Sequence, residues 1–231
     1  MNDIRPVNGL HHLAISTADI KKQIEFFSDV LGMELVALYW MHGVEGAWHG
    51  FLKLNDRCSI AFVQTPGIKD IPIELGKTHA GNPGAPCAAG AMQHLALNVD
   101  SNERLLQMRD RIRSHGVPVM GPIDHGFCQS IYFAGPENLA LELSTSAEAI
   151  NPDAWIDPEV QALAGINATE LARYRSPPGN VTREETVAQP SLAGPGPHMT
   201  NYDDGAYEHI MSMPDDVLFE RMSDTEPPVR V

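Results

Sequence analysis

The hexapeptide Leu10-His11-His12-Leu13-Ala14-Ile15 returns later in the chain as Met92-Gln93-His94-Leu95-Ala96-Leu97. Both segments are short apolar runs with strand character, and both place a histidine directly before Leu-Ala. Each is followed by an aspartate, Asp19 or Asp100, and then by apolar residues at helical spacing. The repetition predicts one structural unit that occurs twice in the first part of the chain.

The rest of each copy follows the same order. Apolar residues three or four positions apart predict one helix per copy: Ile20, Ile24, Phe27 and Leu31 in the first, and Leu105, Met108 and Ile112 in the second. Each helix is predicted to end at a glycine, Gly32 or Gly116, in the left-handed conformation. Apolar strands follow each helix, over residues 34–38, 48–54 and 59–63 and over residues 117–120, 130–133 and 139–143. The order β-α-β-β-β indicates an α+β fold with a sheet on one side and a helix on the other.

The composition changes near residue 147. Residues 1–146 hold 15 acidic and 11 basic side chains, whereas residues 147–231 hold 15 acidic and 5 basic ones, and ten of the 18 prolines lie beyond residue 150. We therefore predict a domain over residues 1–146, with module one at 8–66 and module two at 91–146. Residues 147–231 are predicted to form an acidic, proline-rich extension with short helices near 167–175 and 215–222.

Charge and cysteine content exclude several classes of protein. The net charge of −14 disfavours nucleic-acid and anionic-membrane partners, because phosphate contacts need clustered Lys and Arg. No apolar run approaches the roughly 18 residues of a membrane helix, and Met1–Pro6 lacks the apolar core of a secretory signal. The three cysteines, Cys58, Cys87 and Cys128, show no CxxC spacing, which indicates a reducing cytoplasm rather than a disulfide framework.

The strand pattern predicts a metal site. Side chains alternate between the two faces of a strand, so His12 and His94 each open a copy on the face with small or polar residues. Glu142 stands between Leu141 and Leu143, and a buried carboxylate needs a charged partner or a metal. Two imidazoles and one carboxylate form a ligand set for Fe(II), Mn(II), Zn(II), Ni(II) or Co(II) that leaves positions open for substrate.

Each of these residues also has an ordinary structural interpretation. A single strand histidine is usually structural, and a strand glutamate usually lies on a solvated face. The repetition favours the metal site, because both histidines occupy the same place in a duplicated unit.

The repeat resembles the vicinal oxygen chelate superfamily, which includes glyoxalases, bleomycin-resistance proteins, fosfomycin-resistance enzymes and extradiol dioxygenases. The resemblance covers roughly residues 8–146. It is carried by four segments: residues 12–15 with Asp19, residues 26–32, residues 94–97 and residues 135–143. It implies two modules forming a cupped mixed sheet, a metal held inside the cup by His12, His94 and Glu142, a small-molecule substrate, and a homodimer or higher homo-oligomer.

Within the superfamily, the sequence most resembles the extradiol dioxygenases. A glyoxalase fills four ligand positions, but the fourth falls near Ala61 here, with Gln64 as the substitute in a shifted register. Two histidines and one glutamate are the extradiol pattern, which implies Fe(II) as the metal. The resemblance further implies that Tyr132, ten residues before Glu142, binds substrate and that His125 contacts substrate or oxygen.

The sequence departs from that pattern at the acid/base histidine. Cys58 stands at its position, and His49 or His42 on a neighbouring strand is the alternative. Three functions follow: a ring-cleaving dioxygenase acting on a catecholic or related substrate, a redox-neutral lyase, isomerase or epimerase on the same metal site, and a metal-free protein that sequesters its ligand. Asn138 replaces a glycine of the family turn, a mild change because asparagine tolerates positive φ.

Overall fold

The structure is a computed structural model, and it describes residues 3–4, 7–181 and 185–230 of the chain. The strands are β1 (Asp3–Ile4), β2 (His12–Ser16), β3 (Glu34–Trp40), β4 (Trp48–Asn55), β5 (Cys58–Gln64), β6 (Leu95–Asn98), β7 (Val119–Asp124), β8 (Gln129–Ala134), β9 (Ala140–Thr145) and β10 (Asn180–Val181). The α-helices are α1 (Ile20–Glu25), α2 (Asn102–Ser114), α3 (Pro152–Trp155), α4 (Pro158–Leu163), α5 (Ala168–Arg175), α6 (Ala206–Ser212) and α7 (Asp215–Met222).

The predicted order β-α-β-β-β is confirmed in both copies. Module one runs β2-α1-β3-β4-β5 and module two runs β6-α2-β7-β8-β9. Each module forms a mixed four-stranded sheet, with the strand order β2-β5-β4-β3 in the first and β6-β9-β8-β7 in the second. The opening and closing strands of each module pair in parallel, and the remaining pairs are antiparallel. The fold is therefore α+β, as the sequence indicated.

The first helix ends differently from the regular helix that the sequence predicts. Residues Phe26–Val30 continue α1 as a π-helical turn, which widens the backbone before Gly32. Gly32 and Gly116 adopt φ values of 79° and 78°, so both glycines take the left-handed conformation expected at a helix end.

The two modules share one hydrophobic core. Its members come from the inner faces of both sheets and from both helices: Ile15, Leu52, Ile60 and Phe62, then Leu95, Leu97, Leu141 and Leu143, with Phe27, Leu105 and Ile112 from the helical segments. Within the described residues, no strand pair joins the two sheets. The modules contact each other through helices and loops, and the opposite sheet faces, which carry His12 and Glu142, are turned away from this core.

Arg111 on α2 fixes the end of the first helix. Its guanidinium donates hydrogen bonds from Nε to the Val30 carbonyl at 2.8 Å and from Nη2 to the Asp29 carbonyl at 2.7 Å. These carbonyls lie in the last turn of the helical segment, where no further backbone N–H is available to pair with them. A cation at a helix C-terminus also interacts favourably with the helix dipole.

Glu137 connects module two to the start of α1. Its carboxylate accepts hydrogen bonds from the Thr17 hydroxyl at 2.6 Å, the Ala18 N–H at 2.8 Å and the Gln23 side-chain amide at 2.8 Å. Glu137 and Asn138 have φ values of 54° and 60°, the left-handed conformation anticipated for Asn138. The hydrogen bonds hold Glu137 in a backbone conformation that is costly for a residue with a side chain.

The compact unit that contains both modules extends beyond the change in composition. It spans residues 9–172, whereas the composition changes near residue 147. Asn167 and Glu170 form a reciprocal capping box before α5, with N–H to side-chain distances of 2.9 and 3.0 Å.

The second unit consists of the described residues of 1–8 and 173–231. It contains the antiparallel pair β1–β10 and the helices α6 and α7, the second of which matches the helix predicted near 215–222. Residues 182–184 of the acidic extension lie outside the described residues, as do four of the six residues of Met1–Pro6. No helix in the described part of the chain is both long and apolar enough to cross a bilayer.

Replacing Glu137 by alanine is expected to lower the free energy of unfolding by about 2 kcal/mol, because three donors of the first module lose a charged acceptor. Urea denaturation followed by circular dichroism measures this change. The exposed glutamate Glu45 provides the matched control, and Glu45→Ala is expected to change stability by less than about 0.5 kcal/mol. Equal stabilities of the two variants would contradict the connecting role of Glu137.

Candidate metal site

The strand registers show which positions of the two modules correspond. In module one Ala14 lies opposite Ala61 across the parallel pair β2–β5, and in module two Ala96 lies opposite Glu142 across β6–β9. Ala61 therefore occupies the position equivalent to Glu142. Gln64 does not replace it, because its side-chain oxygen accepts a hydrogen bond from the Ile20 N–H at 2.9 Å and caps α1.

His94 and Glu142 meet in module two. The His94 Nε2 atom lies 2.9 Å from the Glu142 Oε2 atom. The Gln93 side-chain oxygen contacts the other ring nitrogen, Nδ1, and so orients the imidazole. A hydrogen bond at Nδ1 is the usual way in which a protein leaves Nε2 available to a metal.

The Glu142 carboxylate is deeply buried, with only 5% of the residue exposed. The Ser144 hydroxyl donates a hydrogen bond to its Oε1 atom, and the Ser144 and Ser130 hydroxyl oxygens are 2.8 Å apart. Ser130 is fully buried. Ser144 satisfies Oε1, which leaves Oε2 directed at His94 and reduces the cost of burying the charge.

This geometry fits a divalent ion. Two ligand atoms about 2.1 Å from one ion and about 90° apart are separated by roughly 3 Å, close to the distance between His94 Nε2 and Glu142 Oε2. The pair consists of one imidazole nitrogen and one carboxylate oxygen, a donor set suited to Fe(II), Mn(II), Co(II), Ni(II) or Zn(II).

His12 does not join this pair within the chain. It is exposed on the outer face of module one, where its Nδ1 atom lies 2.9 Å from His11 Nδ1 and its ring is 5.5 Å from that of Phe51. Among the residues that the structure describes, no three His, Cys, Asp or Glu side chains are grouped as a metal site. A single chain thus presents a candidate half-site, formed by His94 and Glu142, and His12 separately on the other sheet.

Tyr132 and His125 lie together beside the half-site. Tyr132 is opposite Glu142 across β8–β9, and its hydroxyl is 2.8 Å from His125 Nε2. Burial is the main effect that raises the pKa of the Tyr132 phenol. A hydrogen bond with Ser130 lowers this pKa in part, whereas the nearby Glu142 carboxylate raises it further. The phenol therefore keeps its proton at neutral pH and can donate it in a hydrogen bond.

One cavity of about 620 Å³ collects these side chains. Its lining consists of His94, Ala96, His125, Phe127, Cys128, Tyr132, Glu142, Ser144, Ser146 and Trp155. The sequence predicted four of them as functional: His94, His125, Tyr132 and Glu142. It did not indicate the other polar and aromatic lining residues, which are Ser144, Ser146, Cys128, Phe127 and Trp155. Strand alternation places Ser144 on the Glu142 face and Ser130 on the Tyr132 face, so that signal was present in the sequence.

The alternative acid/base histidines lie elsewhere. His49 is on the module-one face with His12, at a ring separation of 6.4 Å, and its Nε2 atom is buried without a hydrogen-bond partner. Burial lowers the pKa of His49, and repulsion from His12 lowers it further. His42 packs beside Tyr39 at 5.5 Å. Neither histidine lines the cavity that contains Glu142.

Residues 9–143 match the family described as the Glyoxalase/Bleomycin resistance protein/Dioxygenase superfamily. The match covers more than half of the chain, and the chain belongs to this superfamily. It ends before α3, so residues after β9 lie outside the shared domain. No curated protein matches the sequence significantly.

Several solved structures are similar to the chain. They include the glyoxylase/bleomycin resistance protein/dioxygenase domain from Frankia sp. EAN1pec, with 15% identity, a TM-score of 0.48 and coverage of 61% of this chain and 99% of that chain. The fosfomycin resistance protein FosX from Listeria monocytogenes has 19% identity, a TM-score of 0.42 and coverage of 62% and 96%. TnmS3, an antibiotic binding protein from Streptomyces sp. CB03234, has 18% identity, a TM-score of 0.44 and coverage of 62% and 100%. At these identities the similarity assigns no activity.

Replacing Ser144 by alanine is expected to destabilise the metal-free protein by about 1–2 kcal/mol, because the buried Glu142 Oε1 atom loses its hydrogen-bond donor. Urea denaturation in the presence of EDTA measures the effect. Ser146→Ala is the matched control, since Ser146 is exposed and lines the same cavity. A Ser144→Ala protein as stable as the control would show that Ser144 does not support the carboxylate.

Proposed function

We propose that the protein is a divalent-metal enzyme, an extradiol-type dioxygenase that cleaves the ring of a catecholic or related vicinal-oxygen substrate. The observation that carries this proposal is the 2.9 Å approach of His94 Nε2 to Glu142 Oε2 in a cavity that also contains the Tyr132–His125 pair. The superfamily supports a metal-dependent or ligand-binding role, and these four side chains favour the enzyme.

The metal ligands in this proposal are His94, Glu142 and His12, with Fe(II) as the native ion. Held by these residues, such an ion would supply Lewis-acid chemistry to the adjacent oxygens of the substrate. The protein contributes the orientation of its ligands, because Gln93 fixes the His94 ring and Ser144 fixes the Glu142 carboxylate.

The third ligand is proposed to come from a second copy of the chain. His12 is exposed on the outer face of module one, and the His94–Glu142 pair opens to the outer face of module two. Both faces are turned away from the shared core, so an ion between His94 and Glu142 receives His12 from another chain. A two-fold homodimer would form two such sites, each composed of residues from both subunits.

Tyr132 and His125 are the proposed catalytic side chains. The Tyr132 hydroxyl retains its proton and can donate a hydrogen bond to a substrate oxygen beside Glu142. His125 Nε2, 2.8 Å from that hydroxyl, can orient the phenol or exchange a proton with it. Together they position the substrate and move protons without a strand histidine from module one.

A redox-neutral lyase, isomerase or epimerase is the second candidate. One observation favours it: within one chain neither His49 nor His42 lines the cavity, so His125 is the histidine beside Tyr132 that the chain itself supplies for acid/base chemistry. A reaction that only moves a proton within the substrate needs one base, and His125 can serve in that role.

Anaerobic loading with Fe(II), followed by oxygen uptake with catechol and substituted catechols, tests the dioxygenase. Wild type is expected to consume oxygen, and His94→Ala and Glu142→Gln are expected to lose the bound iron and at least about 100-fold of the activity. Tyr132→Phe should keep the iron and lose activity. Iron content unchanged in both ligand variants would contradict the site.

The same loading distinguishes the other candidates. If the protein loaded with Ni(II), Co(II) or Zn(II) converts a vicinal-oxygen substrate without consuming oxygen, it is the redox-neutral enzyme. A wild-type protein that takes up no metal under any of these conditions would instead identify the ligand-sequestering protein.

Mixing of two inactive variants tests the contribution of the second copy. His12→Ala and Glu142→Gln proteins are each expected to hold little metal, but a refolded equimolar mixture contains heterodimers with one intact site. About a quarter of the wild-type metal and activity should return. Recovery would show that His12 and Glu142 of one site come from different chains. If the mixture recovers no metal although the wild-type protein binds it, the two residues belong to one chain.

A further inference from the structure

The segment after β9 adds an aromatic wall to the cavity. Trp155, at the end of α3, packs its ring against Phe127 at 4.9 Å and an interplanar angle of 80°. Asn151 caps this helix by accepting a hydrogen bond from the Asp153 N–H at 3.0 Å, which fixes where Trp155 enters. Trp155 lies outside the residues matched to the superfamily, which end at residue 143.

Gly126 permits the close approach of the indole. Its φ is 85°, and a Cβ atom at this position would lie 2.8 Å from the Trp155 Cη2 atom, closer than two carbons can come. The indole therefore rests directly on the backbone of the loop between β7 and β8. Any side chain larger than that of glycine at position 126 would clash with the indole. The indole is therefore closely packed on this loop.

The aromatic pair lies between two cavities. The larger contains the His94–Glu142 half-site, and a second cavity of about 310 Å³ adjoins it. Phe127, Cys128 and Trp155 line both cavities. Trp155 is 48% exposed and Phe127 is 37% exposed, so the pair offers apolar ring surface that a bound molecule can cover.

The second cavity is polar and acidic beyond this wall. Its lining includes Asp124 and Glu148 together with Asn102, Gln129 and Asn151, and its lining residues include no Lys, Arg or His. An anionic group in this cavity would meet two carboxylates and no cationic side chain. The lining therefore accommodates an uncharged group or a hydrogen-bond donor and disfavours a carboxylate.

We propose that Phe127 and Trp155 form a second substrate subsite, which selects a vicinal-oxygen compound extended by a planar apolar group without negative charge. The chelating end of the molecule occupies the half-site, which rests on the proposed function. The planar group lies on the Trp155–Phe127 wall, and its far end enters the second cavity. The subsite itself depends on ring contact and does not require the metal.

Isothermal titration calorimetry with the full chain tests the subsite with three probes: catechol, 4-phenylcatechol and the para-carboxylate of 4-phenylcatechol. Wild type is expected to bind 4-phenylcatechol about 10-fold more tightly than catechol and than the carboxylate. Trp155→Ala should remove most of this preference while changing catechol affinity less than about twofold. Trp155→Phe, which keeps an aromatic ring, should retain part of it.

Two further measurements separate this proposal from the proposed function. In Glu142→Gln with EDTA, which lacks the metal site, 4-phenylcatechol should still bind more tightly than catechol. In a Trp40→Phe/Trp48→Phe protein, Trp155 is the one remaining tryptophan of the three in the sequence, and 4-phenylcatechol should change its fluorescence. Circular dichroism confirms that each variant folds.

The subsite is overturned by equal or undetectable binding of catechol and 4-phenylcatechol, or by a preference that survives in Trp155→Ala. Tighter binding of the carboxylate than of its parent would refute the charge selection. A wild-type protein that binds no metal but still prefers 4-phenylcatechol to catechol would contradict the proposed function and support the subsite.

Discussion

A carboxylate in the middle of a strand, with leucines on both sides in sequence, constrains the whole of module two. Glu142 faces away from the shared core and is nevertheless almost fully buried, so its charge must be compensated by neighbouring groups. His94 and Ser144 contact the carboxylate, and the Ser130 hydroxyl contacts that of Ser144; each comes from a strand or strand end of the same sheet. The β9 register against β6 and β8 sets these contacts, because a slip by one residue would turn Glu142 into the core and Leu141 out of it.

The modules associate through their helices, and this explains why one chain holds only part of the predicted ligand set. Arg111 and Glu137 fix the helical side of each module against the other. The opposite faces, with His12 on one and Glu142 on the other, cannot then close over a common point. The proposed site, composed of residues from two chains, agrees with this packing of the helices and would place the duplicated histidines in different subunits.

The sequence predicted the fold well, because its main signals are local. Alternation in the strands, apolar spacing in the helices and the glycines Gly32 and Gly116 are read from neighbouring residues, and the structure agrees with them. The proximity of His94 to Glu142 is not local, because it follows from the parallel pairing of β6 with β9; the sequence indicated it through the superfamily resemblance. The π-helical turn after α1 was not predicted, since the apolar spacing of this segment is that of a regular helix.

The parts of the site that the sequence did not reveal depend on tertiary packing. Strand alternation predicts the face of β2 on which His12 lies, but not how the two modules pack together. Its separation from Glu142 depends on that packing. Trp155 lies in a region without repeat or superfamily signal, and its place beside Phe127 depends on the space left by Gly126.

The anomalous scattering of Mn(II) in crystals of the protein tests the central claim most directly. The account predicts one strong peak per chain within about 2.3 Å of both His94 Nε2 and Glu142 Oε2, with a histidine nitrogen of another chain completing the ligand set. A map with no peak there, in which His94 and Glu142 contact only each other, would contradict it.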